Sequence, residues 1–234
     1  MSATVWGLGV GPGDPGLVTL RAVEIARRVP VLAYPAPEHG DSLARAIIAP
    51  HLSGARSELA IRMPLADAAF PTSDIYDAAA DAIAAHAEAG REVGVLCLGD
   101  PFFYGSFMYL FARLAGRARV EVVPGVTSVS AAAALAGFPL AARGDSLVAI
   151  PALLEDREIE QRLASADSAA ILKLGRHFAR IRALLQRLGL ADDARYVARV
   201  GLAGERHAPL ADVASDEAPY FSLILVHRRR AAWR

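Results

Sequence analysis

The amino-acid sequence predicts an α/β fold arranged as two α/β domains, and three observations carry that prediction. Short apolar runs of strand length alternate with segments of helical periodicity along the whole chain. The run Val93-Gly94-Val95-Leu96-Cys97-Leu98 is apolar throughout, as in a strand buried on both faces of a parallel sheet. The alternation pauses near Gly116–Arg119, which reads as a hinge. Residues 1–117 are therefore expected to form one domain and residues 118–234 the other.

The elements follow in order. Val5–Val10 reads as a strand, and Thr19 is placed to cap a helix reaching Val29. Val31–Tyr34 reads as a second strand. Ser42–Leu52 is helical until Pro50 disturbs its end. Ser73-Asp74 begins a long alanine-rich helix to Ala89, stopped by Gly90. Beyond the apolar strand at Val93, Ser106–Ala115 is a helix ended by Gly116. Val120–Val123 is a strand, and Thr127–Ala136 a helix ended by Gly137. In the second half Leu147–Ile150, Ala169–Leu174, Arg195–Val200 and Tyr220–His227 read as strands. Glu155–Ala164 and Phe178–Leu188 read as helices, with Gly189 stopping the latter. Parallel pairing is expected mainly in the first half.

Composition narrows the function classes. A hydrophobic fraction of 54% is ample for buried cores. No run approaches the ~18 apolar residues of a membrane span, and the N-terminus has no signal-peptide pattern, so the expected location is the cytoplasm. Net charge is zero, which argues against nucleic acid as a partner. The single Cys97 excludes an internal disulfide and is expected to pack as a small hydrophobe at a strand end. No metal-ligand spacing appears, so no metal is expected. Every cation except Lys173 is an arginine, and guanidinium suits carboxylate ligands. Arg228-Arg229-Arg230 reads as a solvated tail.

Three strand-ending turns carry the chemistry. The first is Gly7-Leu8-Gly9-Val10-Gly11-Pro12-Gly13-Asp14-Pro15-Gly16. It contains G-x-G-x-x-G, but a dinucleotide loop works by aiming N–H groups at a pyrophosphate. Pro12 and Pro15 have no N–H, and Asp14 would oppose the phosphates. The turn suits a ligand without phosphate, or close packing beside a cleft. The second is Gly99-Asp100-Pro101-Phe102-Phe103-Tyr104-Gly105-Ser106, which offers a carboxylate and three aromatics that can cover a planar ring. The third is Val122-Val123-Pro124-Gly125-Val126-Thr127-Ser128-Val129-Ser130, where small hydroxyl residues cap a helix. In a parallel sheet such loops line the ligand crevice.

Together these turns resemble the tetrapyrrole methylase family, methyltransferases that use S-adenosylmethionine. The resemblance rests on the GxGPGDP turn, the GDP-aromatic loop and the PGVTS turn. It extends to Ile171-Leu172-Lys173-Leu174-Gly175-Arg176-His177 and Val197-Ala198-Arg199-Val200-Gly201. It implies the tetrapyrrole methylase fold of two α/β domains, an active-site cleft between them, and a homodimer. Cofactor contacts are implied at Pro12, Leu98, Gly99, Asp100, Phe103, Thr127, Ser128, Leu174 and Gly201. Leu98 stands where many relatives have an acidic residue, so only a backbone contact is expected there.

Finer likenesses lie in Leu32-Ala33-Tyr34-Pro35, in the loop Gly99–Leu110, in Pro124–Ser130, in Lys173–His177 and in Ala218-Pro219-Tyr220-Phe221-Ser222-Leu223. They imply methylation of precorrin-2 at C20 in cobalamin biosynthesis. Cobalt-factor II, or another ring carbon of the same pathway, is the alternative. Tyr104, Arg143 and Arg176 are the expected substrate contacts, the arginines for the substrate's carboxylates. Tyr104, Asp100 and His177 are proton acceptors by type, and no catalytic residue is assigned among them.

Overall fold

The computed structural model describes residues 2–63 and 73–229. It divides into two compact units, Met1–Thr127 and Ser128–Arg234.

The first unit holds β1 (Thr4–Gly9), α1 (Leu20–Arg28), β2 (Val31–Pro37), α2 (Leu43–Ile48) and β3 (Ser57–Met63). It continues with α3 (Ser73–Glu88), β4 (Val93–Cys97), α4 (Phe107–Leu114) and β5 (Arg119–Val123). The strands form one sheet in the order β3-β2-β4-β1-β5, and every pairing is parallel. β4 is buried at all five positions, as its apolar run predicts. Each face of the sheet carries its own core. Val5, Val95, Tyr76, Ile83 and Phe107 pack on one face. Trp6, Leu8, Ile25, Leu32 and Ile48 pack on the other. Thr19 caps α1 by accepting from Ala22 N at 3.2 Å, worth about 1 kcal/mol relative to alanine. Ser42 caps α2 in the same way and donates its hydroxyl to the Pro35 carbonyl at 2.6 Å.

The second unit holds α5 (Ser128–Leu135), β6 (Leu147–Pro151), α6 (Asp156–Ala164), β7 (Ser168–Leu172) and α7 (Phe178–Arg187). β8 (Ala194–Ala198), β9 (Arg206–Pro209) and β10 (Ser222–His227) follow. The sheet order is β6-β7-β10-β8-β9. β6 runs parallel to β7, and β10 runs antiparallel to both β7 and β8. It follows that β6, β7 and β8 all finish at one end of the sheet, the end where β10 begins. Ile150, Ile171, Phe178, Ile181 and Tyr196 form the core on one face. Val129, Phe138, Leu172 and Leu225 form it on the other.

Several details differ from the sequence expectation. β5 pairs with β1, so this strand lies in the first sheet, and the units divide after Thr127 where residue 117 was expected. β3 and β9 were not anticipated. Both are edge strands, and Glu58, Arg62, Arg206 and His207 interrupt their apolar pattern. Arg228 and Arg229 are not a solvated tail. Arg228 donates to the Leu163 and Ala164 carbonyls, and Arg229 pairs with Asp145 and Asp167. Arg230 lies outside the described residues. Cys97 is buried at the end of β4, and burial pushes its thiol pKa up. No helix among the described residues is long and apolar enough to cross a membrane.

Candidate active site

In the first sheet the chain leaves β1 toward β2 on one side, and leaves β4 toward β5 on the other. The carboxyl ends of these two neighbouring strands are thus a switch point, the place where parallel sheets bind ligands. The loops after β1, β4 and β5 all start there, and backbone contacts lock them together. Gly11 N donates to Gly99 O at 3.2 Å, and Gly99 N returns a bond to Gly11 O at 2.8 Å. Both glycines are left-handed, with φ of 76° and 66°. A Cβ on Gly9 would lie 2.5 Å from Gly125 N, and one on Gly125 would overlap the Gly99 carbonyl oxygen. Glycine at 9 and 125 is what lets the three loops approach this closely.

Asp100 fastens the same junction. Its Oδ2 accepts from Gly125 N at 2.9 Å, and its Oδ1 accepts from Phe102 N at 2.9 Å. The carboxylate therefore ties the β4 loop to the β5 loop, and both its oxygens are engaged by main chain. Pro12 is buried, and Leu98 is half-buried against the core around Leu8. Asp14 accepts from Gly16 N at 2.7 Å and caps the short helical turn Pro15–Leu17. That use of the Gly16 N–H, with prolines at 12 and 15, leaves this turn poor in donors for phosphate.

The aromatic loop stays open. Phe102, Phe103 and Tyr104 are 47%, 37% and 40% exposed, so they are not core residues. Phe102 meets Phe111 edge-on at 5.1 Å, and Phe103 meets Tyr104 edge-on at 5.1 Å. Tyr104 holds a left-handed backbone, with φ 55°. Such strain in a non-glycine residue costs about 1–3 kcal/mol and concentrates at functional sites. Thr127 closes the first unit, and Ser128 begins α5 in the second.

The remaining expected residues lie in the second unit. Leu174 follows β7, with its side chain fully buried in the core around Phe178, so what it presents is main chain. Arg176 is exposed in the short turn Gly175–His177. Burial, with the Arg180 and Arg176 guanidiniums, pulls the His177 pKa down. That favours a neutral ring able to accept a proton. Gly201 follows β8, with φ 73°, and donates its N–H to Glu205 Oε2 at 2.6 Å. Leu174, Arg176 and Gly201 thus share one end of the sheet. Arg143, with φ 46°, stands on the segment leading into β6, at the end where β10 finishes. Sequence reasoning passed over Lys173 and Arg199, which also follow β7 and β8 with left-handed backbones. A cation immediately after an apolar strand was the signal available.

The family model of tetrapyrrole (corrin/porphyrin) methylases matches residues 4–214. The chain belongs to this family. It is 43% identical, over 97% of its length, to the cobalamin biosynthesis protein CobIJ of Mycobacterium bovis, of which it spans 47%. The chain thus spans about half the length of the first curated relatives it matches. It is 43% identical to a precorrin-2 C(20)-methyltransferase from Sinorhizobium sp, over 94% of this chain and 93% of that protein. It is 36% identical to the cobalt-precorrin-2 C(20)-methyltransferase of Salmonella typhimurium, over 98% of each. Among solved structures it is similar to the uroporphyrin-III C-methyl transferase from Thermus thermophilus complexed with S-adenyl homocysteine. The TM-score is 0.69 and the identity 26%, over 96% of this chain and 97% of that one.

Proposed function

We propose that this chain transfers a methyl group from S-adenosylmethionine to C20 of precorrin-2, a step of cobalamin biosynthesis. One observation carries the reading: the likeness to the Sinorhizobium enzyme runs through nearly the whole of both chains. When bound, S-adenosylmethionine supplies an electrophilic methyl group on a sulfonium. The residues at the switch point fit a ligand of that kind. The first turn withholds the N–H groups a diphosphate needs, and close-packed glycines present main chain to a ligand at the strand ends.

In this proposal Pro12, Leu98, Gly99, Asp100, Phe103, Thr127, Ser128, Leu174 and Gly201 are the residues that contact the cofactor. Asp100 serves it by fixing Gly125 and Phe102. Tyr104 and Arg176 are the contacts for the polycarboxylate substrate; Arg143, at the opposite end of the second sheet, stands apart from Arg176. The chain's own work is then to hold donor and acceptor in line, an effect worth up to ~7–11 kcal/mol in favourable cases. The proposal includes a homodimer and a cytoplasmic location. Incubation with S-adenosylmethionine and precorrin-2, followed by mass spectrometry and carbon NMR, tests it. One added methyl at C20 is expected. Transfer to another carbon, or faster turnover of the cobalt-containing substrate, overturns the assignment. Sedimentation velocity tests the dimer.

A further inference from the structure

The loop from Arg199 to Glu205 joins β8 to its antiparallel neighbour β9. Most of its ties are made by main chain. Leu202 N donates to the Arg199 carbonyl at 2.8 Å, and Glu205 N to the Leu202 carbonyl at 3.0 Å. Arg199 N donates to the Phe221 carbonyl at 2.7 Å, which fastens the loop beside the entry to β10. Arg199 Nη1 reaches the Ala203 carbonyl at 3.4 Å. The Gly201 N–H is held differently. It donates to the Glu205 carboxylate, with N and Oε2 2.6 Å apart. Bonds of this kind, to an ionised acceptor, are the short and strong ones. The acceptor is itself well anchored, because Arg206, the next residue, pairs with Ala198 in the β8–β9 ladder.

Gly201 gains from such a tie. Its φ of 73° is left-handed, and glycine has more backbone freedom to lose than any other residue. Fixing its N–H in advance leaves less ordering to be done when a ligand arrives. Glu205 is exposed and forms no ion pair among the described residues. A solvated glutamate thus gives up rotamer freedom to sit on this one N–H. The first unit shows the same arrangement. There Asp100 accepts from the Gly125 N–H at 2.9 Å, just after β5. In each unit one carboxylate fixes the N–H of a glycine that follows a strand.

We propose that Glu205 is a positioning residue for the methyl donor and acts through Gly201. The role rests on the reading of Gly201 as a cofactor contact. Glu205 touches neither donor nor substrate; it holds the main chain that does. A direct use of its charge, drawing the positive groups of the donor, is a different role, and an amide at this position separates the two. Glutamine keeps an accepting oxygen for the Gly201 N–H and has no charge.

The test uses the full chain with E205A and E205Q. S-adenosylhomocysteine affinity is read by calorimetry, kcat and the two KM values by kinetics with S-adenosylmethionine and precorrin-2, and Tm by thermal unfolding. For E205A the expected S-adenosylhomocysteine affinity is about fivefold weaker, with the KM for S-adenosylmethionine raised to match. The kcat at saturating donor and the KM for precorrin-2 should stay within about twofold of the unaltered chain. Tm should move by no more than about 2 °C, as for a surface substitution. E205Q should recover most of the lost affinity. Unchanged S-adenosylhomocysteine affinity in E205A overturns the proposal. So does an E205Q as weak as E205A, which makes the charge and not the tie the active feature. A raised KM for precorrin-2 at unchanged S-adenosylhomocysteine affinity gives Glu205 to the substrate, and a larger fall in Tm makes it part of the fold; either result overturns the proposal. An unaltered chain that does not bind S-adenosylhomocysteine refutes the cofactor reading itself. One that binds it while E205A binds equally well refutes the role of Glu205 alone.

Discussion

At the strand ends of the first unit, the tight places hold glycine. Gly9 and Gly125 have no room for a Cβ, and Gly11 and Gly99 take left-handed backbones within one bridge. At the strand ends of the second unit, the left-handed positions just after β7 and β8 hold Lys173 and Arg199. The same backbone demand is met by opposite residue choices. Where three loops must touch through main chain, a side chain is an obstacle. Where the left-handed residue is Arg199, the long side chain is used within the fold, its Nη1 donating to the Ala203 carbonyl at 3.4 Å. Tyr104, strained and exposed in the first unit, belongs with the second group.

The sharpest way to break this contrast is Gly125→Ala. Its Cβ would overlap the Gly99 carbonyl oxygen, and backbone has little freedom to yield. We expect a loss of about 3 kcal/mol, at the upper end of overpacking costs, together with loss of S-adenosylhomocysteine binding. Denaturant unfolding and calorimetry check both. A stable variant with full affinity would remove close loop contact as the reason for glycine.

Asp100→Ala comes next. It strips the acceptor from Gly125 N and Phe102 N, and leaving such groups unpaired costs about 1–3 kcal/mol. S-adenosylhomocysteine affinity should fall with it. Asp100→Asn keeps one accepting oxygen and should recover part of both losses. Calorimetric affinity equal to that of the unaltered chain would take Asp100 out of the site.

Arg176→Ala and Arg143→Ala probe the two ends of the second sheet. Arg176→Ala should raise the KM for precorrin-2 several-fold, Arg143→Ala should leave it unaltered, and neither should change S-adenosylhomocysteine affinity. An unaltered KM for Arg176→Ala removes that arginine from substrate binding.

The smallest expected effect lies away from the tight places. The Arg45 guanidinium, with help from the Tyr34 hydroxyl and against burial, holds the Glu58 carboxyl below the usual carboxylate range. A depressed folded-state pKa stabilises above the unfolded value, and that stability is lost as pH falls through the depressed value. Glu58→Gln should flatten this part of the acid unfolding curve and cost at most about 1 kcal/mol at neutral pH, since the pair is partly exposed. Unfolding across acid pH reads it.

Legibility differed between central and edge strands for a physical reason. Strands buried on both faces, such as β4, are apolar runs, and glycine or proline closes them. β3 and β9 lie at sheet edges, where half the residues face water, so Glu58, Arg62, Arg206 and His207 hide them. The three glycine-rich turns were visible because a close approach of main chain demands specific residues. Lys173 and Arg199 were not, because a strained cation looks in sequence like any exposed cation. The role of Asp100 was half visible. Its carboxylate stood out, but its partners at Phe102 and Gly125 depend on how the loops meet.

By itself, the sequence determined the α/β class, the order of most elements and the positions of the three turns, since these follow from local periodicity and from the residues a turn requires. Only the tertiary structure decided that β5 joins the first sheet, that Asp100 clasps two loops, and that Lys173 and Arg199 flank one strand. Those facts depend on which strands become neighbours, and pairing between distant segments leaves no local trace in the chain.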